Sequence, residues 1–392
     1  MLISRKIKVL MLLPNLVSAG GQQAVLNLYR SLPPNRFELS LLVHEKTGSF
    51  SQGLDESINV HFVSDRDYRR TDLPKYLAAT VHHARQADIV LAGLEGRASF
   101  LGLLAAKLLR KPVVAWLHID WSPFIHLVSW RQRLSLNLYG YADRIVTCSK
   151  GVADNFAKDF GLPRTRLHPI YNGLPSQKIR QKALEPLPDS IQQIFEQPTV
   201  LTVGRLDHQK AQEYLIAAHA LLRAKGIQHN LAIVGEGGLL SALKQQALDL
   251  GVSDTVHFLG FQQNPYKFMN HATAFAFSSR FEGFGLVLVE AMLCGLPTVS
   301  TDCPSGPREV LGDGQYGVLV ESENAQALAD GLEQILCNPA RRQQLSNLAL
   351  IRGEAFDEQD TTQQWTELLE ELYQQSAPNL PQPVESQLPR TV

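Results

Sequence analysis

Glu282 and Glu290 flank the stretch Glu282-Gly283-Phe284-Gly285-Leu286-Val287-Leu288-Val289-Glu290, which Ala291 and Met292 follow. The glycines permit a tight turn with exposed amides, after which Leu286 to Leu293 reads as helix. Glu282 at a strand end and Glu290 on the helix can then face one cleft. A carboxylate is a natural acceptor for the two vicinal hydroxyls of a ribose, and free amides in a glycine turn donate to sugar hydroxyls or phosphate oxygens. Two glutamates solvated at a helix end would need no ligand, but that reading leaves Glu290 unexplained inside an apolar helix.

A second constellation, Gly204-Arg205-Leu206-Asp207-His208-Gln209-Lys210, falls where a strand ends and a helix begins. Backbone amides and the positive helix end are aimed at anions there, and Arg205 and Lys210 add two cations. That is a diphosphate cradle in principle, although Arg and Lys at a helix start are also common as solvated surface.

Other chemistries are excluded by what the chain lacks. Gly235-Glu236-Gly237-Gly238 follows a strand, but Leu240 stands where a dinucleotide fingerprint requires its last glycine, so NAD binding is unsupported. There is no Walker A run, no HExxH and no GxSxG elbow. Asp65-Arg66-Asp67 has the form of a carboxylate pair for a divalent cation, yet Arg66, Arg69 and Arg70 crowd it with positive charge. Neither a metal nor a cofactor is expected.

The elements that must position these groups alternate strand and helix. Ile7–Leu13, Leu39–Val43, Val60–Val63, Ile89–Ala92, Val113–Leu117 and Ile145–Cys148 read as strands, with helices at Ala24–Leu32, Leu73–Ala87, Ala98–Leu109 and Val152–Phe160 between them. The pattern restarts with strands at Val200–Val203, Leu231–Val234, Val256–Leu259, Ala274–Phe277 and Thr298–Ser300, separated by helices. The fold class expected is α/β, two Rossmann-like doubly wound domains facing a central cleft. The boundaries expected are a domain over residues 1–175, a proline-rich linker over 176–198, a domain over 199–357, a helix over 358–375 crossing back to the first domain, and a disordered tail over 376–392.

At 392 residues two domains are the default, and 44% apolar with 19% charged residues suits a soluble globular chain. No run approaches the ~20 apolar residues of a spanning helix, and Val9 to Leu13 is too short for a signal-peptide core, so a cytoplasmic location is expected. The four cysteines, Cys148, Cys294, Cys303 and Cys337, lack metal spacing and read as buried small residues. The net charge of −1 hides an asymmetry: residues 1–175 hold 22 Lys and Arg against 13 Asp and Glu, and the remainder 15 against 25. Such a basic half either attracts an anionic surface or substrate, or docks on its acidic companion. Arg66, Arg69, Arg70, Lys75, Arg131, Arg133 and Arg144, with Trp121, Phe124 and Trp130, suit a lipid-linked acceptor at the inner membrane face. No nucleic-acid partner is expected.

Together these motifs resemble the retaining glycosyltransferases of the GT4 type, which have the GT-B fold. The resemblance rests on Glu282 to Glu290, on Val203 to Lys210, on Val234-Gly235-Glu236-Gly237, on His257 to Phe261, and on the loop Thr301 to Glu309. In the first half Ala19-Gly20-Gly21, His118, Ser149 to Val152 and Tyr171 to Leu174 also fit, so the likeness covers about residues 7–375. It implies that Arg205 and Lys210 bind the donor diphosphate, that Glu290 holds the ribose, and that Glu282 with the amides of Phe284, Gly285 and Leu286 holds the donor sugar. It implies further that Gly20 and Gly21 let a loop approach the diphosphate, and that Gly204, Gly235 and Phe261 belong to the donor pocket. His118 would line the cleft and is a candidate base, though a histidine beside Trp116 is as often structural. The loop at Pro304–Arg308 resembles a subgroup often using UDP-linked hexoses or N-acetylhexosamines. A nucleotide-sugar epimerase of the same fold, or a sugar-nucleotide-binding subunit assisting a partner, would carry much the same pocket.

Overall fold

The computed structural model describes residues 5–17, 19–48, 54, 56–128, 133 and 136–376. Seven parallel strands build a first sheet: β1 (Ile7–Leu13), β2 (Phe37–Glu45), β3 (Val60–Ser64), β4 (Ile89–Ala92), β5 (Val113–Leu117), β6 (Arg144–Thr147) and β7 (Leu167–Pro169). Their spatial order is β3-β2-β1-β4-β5-β6-β7. Six more, β8 (Thr199–Val203), β9 (Asn230–Val234), β10 (Val256–Gly260), β11 (Ala274–Phe277), β12 (Thr298–Thr301) and β13 (Val318–Val320), form a second in the order β10-β9-β8-β11-β12-β13. Every registered pair is parallel, with Val9 opposite Leu39 on one side and Ile89 on the other. The α/β expectation of two doubly wound sheets therefore holds. In each sheet the order reverses beside the first strand, between β1 and β4 and between β8 and β11, and ligand crevices open beyond the carboxyl ends of strands at such points.

The central strands are continuous apolar runs because helices cover both faces. Six of the seven residues of β1 are buried. The longer helices among the described residues are α1 (Gly20–Ser31), α2 (Leu73–Gln86), α3 (Arg97–Leu109), α4 (Lys150–Phe160), α5 (Ser176–Ala183), α6 (Gln212–Ala224), α7 (Leu240–Asp249), α8 (Tyr266–His271), α9 (Leu286–Leu293), α10 (Ala325–Leu336), α11 (Pro339–Glu354) and α12 (Glu358–Ser376). Helix α4 starts where Ser149 Oγ accepts the Val152 N–H at 3.2 Å, and stops at Gly161 in the left-handed conformation. Helix α12 packs on α1, and its fully buried Trp365 lies 4.6 Å from Trp116 of β5, ring to ring. The chain crosses itself where Leu174 donates to the Phe356 carbonyl and accepts from Glu358, both at 3.0 Å. A Cβ on Gly173 would come within 2.8 Å of Glu358 and Thr361, so only glycine lets the two crossings touch.

Several expectations need correction. The segment 176–198 contains α5 and two shorter helical turns, because prolines at 175 and 188 sit at helix starts, where the ring is tolerated. Strands β7 and β13 have three residues each, too short for periodicity to reveal. Helix α1 begins four residues before its apolar stripe does. Cys148 and Cys303 are buried, Cys294 is half-buried, and Cys337 is exposed at the end of α10. No helix among the described residues is long and apolar enough to cross a membrane. The expected tail beyond Ser376 lies outside the described residues.

Candidate active site

The loops after β8 and β9 run side by side. Gly204 donates to the Val234 carbonyl and Leu206 to the Glu236 carbonyl, both at 2.9 Å. Gly235 has φ +139°, and a Cβ there would stand 1.9 Å from the Gly204 carbonyl oxygen, so this approach requires glycine. The same loop carries Lys210 inward. Its Nζ lies 2.5 Å from Glu282 Oε1, which also accepts from Ser279 Oγ at 2.8 Å, and 5.1 Å from the Phe277 ring centre. The two charged side chains are only 17% and 8% exposed, so the ion pair is nearly desolvated. Arg205, by contrast, is 56% exposed on the rim, 3.1 Å from Asp207 and 3.0 Å from Gln209. Gln209 ties this loop to the next by donating to the Phe281 carbonyl at 3.1 Å and accepting the Arg280 N–H at 2.9 Å.

Gly285 turns the chain into α9 with φ +89°, and six of the eight residues of α9 are buried. At about 1.5–3 kcal/mol for each large apolar side chain fully buried, that packing fixes the helix firmly. Phe284 is clamped between Tyr171 and Phe356, with ring centres 5.4 and 5.5 Å away. Glu290 keeps part of its surface, while burial pushes its carboxyl up to about 7; the Tyr266 hydroxyl, which donates to Oε1 at 3.2 Å, opposes that rise. Phe261 is half exposed, and its N–H points to Glu236 Oε1 at 3.4 Å.

From the first half, Gly20 faces this turn and Gly21 faces Leu94 and His118, as the first two residues of α1 rather than as a loop. A Cβ on Gly20 would meet Leu286 at 3.6 Å, and one on Gly21 would strike Leu94 at 2.4 Å and approach His118 Cγ to 3.4 Å. The His118 ring lies 4.5 Å from Trp116, and both its nitrogens are buried without a hydrogen-bond partner. Burial holds its pKa down to about 3; the Gly93 backbone favours the charged form slightly, without a hydrogen bond of ordinary geometry. A ring so reluctant to take a proton is a poor general base near neutrality. What remains open to it is hydrogen bonding to a hydroxyl as neutral imidazole. Glu95, not singled out from sequence, fixes the His118 segment. Its Oε1 accepts the N–H groups of His118 and Ile119 at 2.7 and 2.8 Å. Burial pushes its carboxyl up to about 7.

The halves touch at this point. A Cβ on Gly283 would fall 1.8 Å from the His118 carbonyl oxygen. Ser305 donates to Asp120 Oδ2 at 2.5 Å, and Phe281 meets Phe124 edge to face at 4.4 Å. Glu309 reaches across to the start of α4: Oε1 accepts from Gly151 N at 2.6 Å, and Oε2 from Lys150 N at 2.9 Å and Tyr171 Oη at 3.0 Å. The loop Thr301 to Glu309, Ser149 to Val152 and Tyr171 to Leu174 each stood out in the sequence, but nothing local showed that they meet.

The basic residues expected around an acceptor disperse. Arg66 pairs with Asp72 at 3.0 Å. Arg144 opens β6, at the amino-terminal end of the strand and so away from the carboxyl-end cleft, and pairs with Glu371 of α12 at 2.9 Å. Phe124 is taken up by Phe281. Trp130, Arg131 and the side chain of Arg70 lie outside the described residues.

Comparison with known proteins extends these observations. Residues 18–178 match the family described as Glycosyltransferase Family 4, and residues 189–350 that described as Glycosyl transferases group 1. A GDP-mannose-dependent phosphatidylinositol monomannoside mannosyltransferase of Mycolicibacterium smegmatis is 30% identical over 277 residues, 65% of this chain and 68% of that one. The chain belongs to the group 1 glycosyltransferases. This glycosyltransferase is also 37% identical over 220 residues to a Campylobacter jejuni N-acetylgalactosaminyltransferase, one named for a diphospho-undecaprenol-linked substrate. That match spans 56% of the present chain and 58% of the relative. Among solved structures, Anabaena HepE in complex with UDP and glucose superimposes with a TM-score of 0.80 at 24% identity, covering 93% of this chain and all of that one. The two-sheet architecture is thus the GT-B fold.

Proposed function

We propose that this glycosyltransferase is retaining, and moves a hexose or N-acetylhexosamine from a UDP-sugar to a glycan or lipid-linked acceptor in cell-surface polysaccharide or glycolipid synthesis. The observation that carries the reading is the Lys210–Glu282 pair, set between the glycine turn and the His118 segment. Expelling a nucleoside diphosphate from an anomeric carbon demands stabilisation of negative charge on the leaving group while the sugar gains oxocarbenium character. Lys210 and Arg205 supply that charge, with the amides at the Gly204 loop. Lys210 exchanges its contact with Glu282 for a phosphate oxygen, which frees Glu282, beside the amides of Phe284, Gly285 and Leu286, to accept from donor-sugar hydroxyls. Glu290 accepts from the ribose, Gly235 and Phe261 line the nucleoside end, and neutral His118 hydrogen-bonds the transferred sugar next to Gly20 and Gly21.

In the reaction the bond from C1 to the phosphate oxygen breaks with its electron pair on oxygen. The acceptor hydroxyl oxygen bonds to C1 on the same face, and its proton passes to the departing phosphate. Residues 1–175 serve as the acceptor side and 199–357 as the donor side. The names of the Campylobacter relative and of the HepE complex support a lipid-linked acceptor and a uridine donor. The positive first half supports peripheral attachment at the cytoplasmic membrane face.

Incubation with UDP-, GDP- and ADP-sugars, with and without a membrane lipid extract, tests this by mass spectrometry. The reading expects UDP release with a hexose- or N-acetylhexosamine-sized gain on an acceptor. Donor isomerisation without transfer would replace it with the epimerase, and tight binding without turnover with an assisting subunit.

A further inference from the structure

Glu290 is held by a residue whose importance nothing in its own neighbourhood announces. Tyr266 opens α8, 24 positions earlier, and its hydroxyl donates to Glu290 Oε1 at 3.2 Å. Burial first, and the adjacent Glu290 carboxylate second, raise the phenol's pKa, so the hydroxyl stays protonated and acts as a donor. Its backbone is anchored as well: Asn264 Oδ1 accepts the Tyr266 N–H at 3.1 Å, and Asn264 Nδ2 donates to the Lys182 carbonyl at 2.8 Å. The backbone that carries Tyr266 is thereby tied to α5.

A carboxylate that must receive two vicinal hydroxyls needs a fixed plane and a negative charge. Burial works against the charge at Glu290, and the Tyr266 hydroxyl works for it. One donated hydrogen bond also selects one carboxylate rotamer, leaving the remaining lone pairs directed at the pocket.

We propose that Tyr266 is a positioning residue for nucleotide recognition, holding Glu290 so that it accepts both ribose hydroxyls and sets a preference for ribonucleotide over deoxyribonucleotide donors. The inference rests on the assignment of Glu290 to the ribose made above. The test is calorimetric titration of wild type, Tyr266→Phe and Glu290→Gln with whichever of UDP, GDP and ADP the wild type binds most tightly, and with its 2′,3′-dideoxy form. Tyr266→Phe conserves the ring and its packing. It is expected to weaken the ribonucleotide about tenfold, the scale of one hydrogen bond to a charged group, and to leave dideoxynucleotide affinity unchanged. Equal weakening of both nucleotides, or no weakening, would reduce Tyr266 to a packing residue and overturn the proposal. If Glu290→Gln itself fails to separate the two nucleotides, the ribose assignment falls and the proposal with it; that failure is visible without reference to Tyr266.

Discussion

Lys210 Nζ stands 2.5 Å from Glu282 Oε1, and neither side chain is more than 17% exposed. A pair so placed answers two demands at once. Each charge satisfies the other out of water, and on the proposed reading the same cation is fixed where the leaving group gathers charge. Lys210→Ala should lower kcat by several hundred-fold, on the order of 3 to 4 kcal/mol of transition-state stabilisation. It should also destabilise the fold, because it strands a buried carboxylate. Adding Glu282→Gln should restore the melting temperature but not turnover. Kinetics and thermal melts on the three variants check this, and near-native turnover in the single variant would reject the cradle.

Gly283 marks where the halves close. Since a Cβ there would lie 1.8 Å from the His118 carbonyl oxygen, Gly283→Ala should hold the cleft ajar. Nucleotide affinity should stay within a few-fold of wild type while kcat drops more than tenfold. Small-angle scattering should report a larger radius of gyration; an unchanged radius and rate would show that the contact is not needed.

The Glu309 bridge predicts a stability effect. Glu309→Ala removes the acceptor for two amides at the start of α4 and for the Tyr171 hydroxyl, so it should cost about 2 kcal/mol. Glu309→Gln retains one acceptor oxygen and should cost about half as much. Denaturant unfolding measures both, and a neutral alanine variant would mean that water replaces the bridge.

His118 predicts a pH dependence. The folded ring resists protonation down to about 3, whereas the unfolded chain takes the proton near its ordinary value of 6.5. Below 6.5 the unfolded state therefore binds more protons, so this group contributes a loss of stability as pH falls from 6.5 toward 3. His118→Asn should flatten that part of the profile relative to wild type. Melting temperatures every half pH unit provide the comparison, and parallel profiles would contradict the burial argument.

How much of this could be read in the sequence follows from how far apart the cooperating residues lie. Glu282, the glycine turn and Glu290 sit in one local stretch, so spacing alone suggested a shared cleft. Lys210 was marked by its strand-to-helix position, but its pairing with Glu282 joins residues 72 apart and needed the β8–β11 neighbourhood. Tyr266 and Glu95 lack local signatures, and Glu309, although it closes the loop Thr301 to Glu309, gives no local sign of its partners at the start of α4, because each of the three acts through another element. Gly21 was expected to let a loop approach the diphosphate; that its missing Cβ also makes room for Leu94 and His118 needed the fold. Strand and helix order was legible because buried parallel strands are apolar runs; three-residue strands and a helix hidden among prolines were not.

Retaining transfer is decided by the anomeric configuration of the product, read by proton NMR after reaction with an α-linked UDP-sugar. An α-glycoside formed with one equivalent of UDP released is expected, and loss of both signals in Lys210→Ala. A β-glycoside would contradict retention, and an isomerised donor with no glycoside would contradict transfer itself.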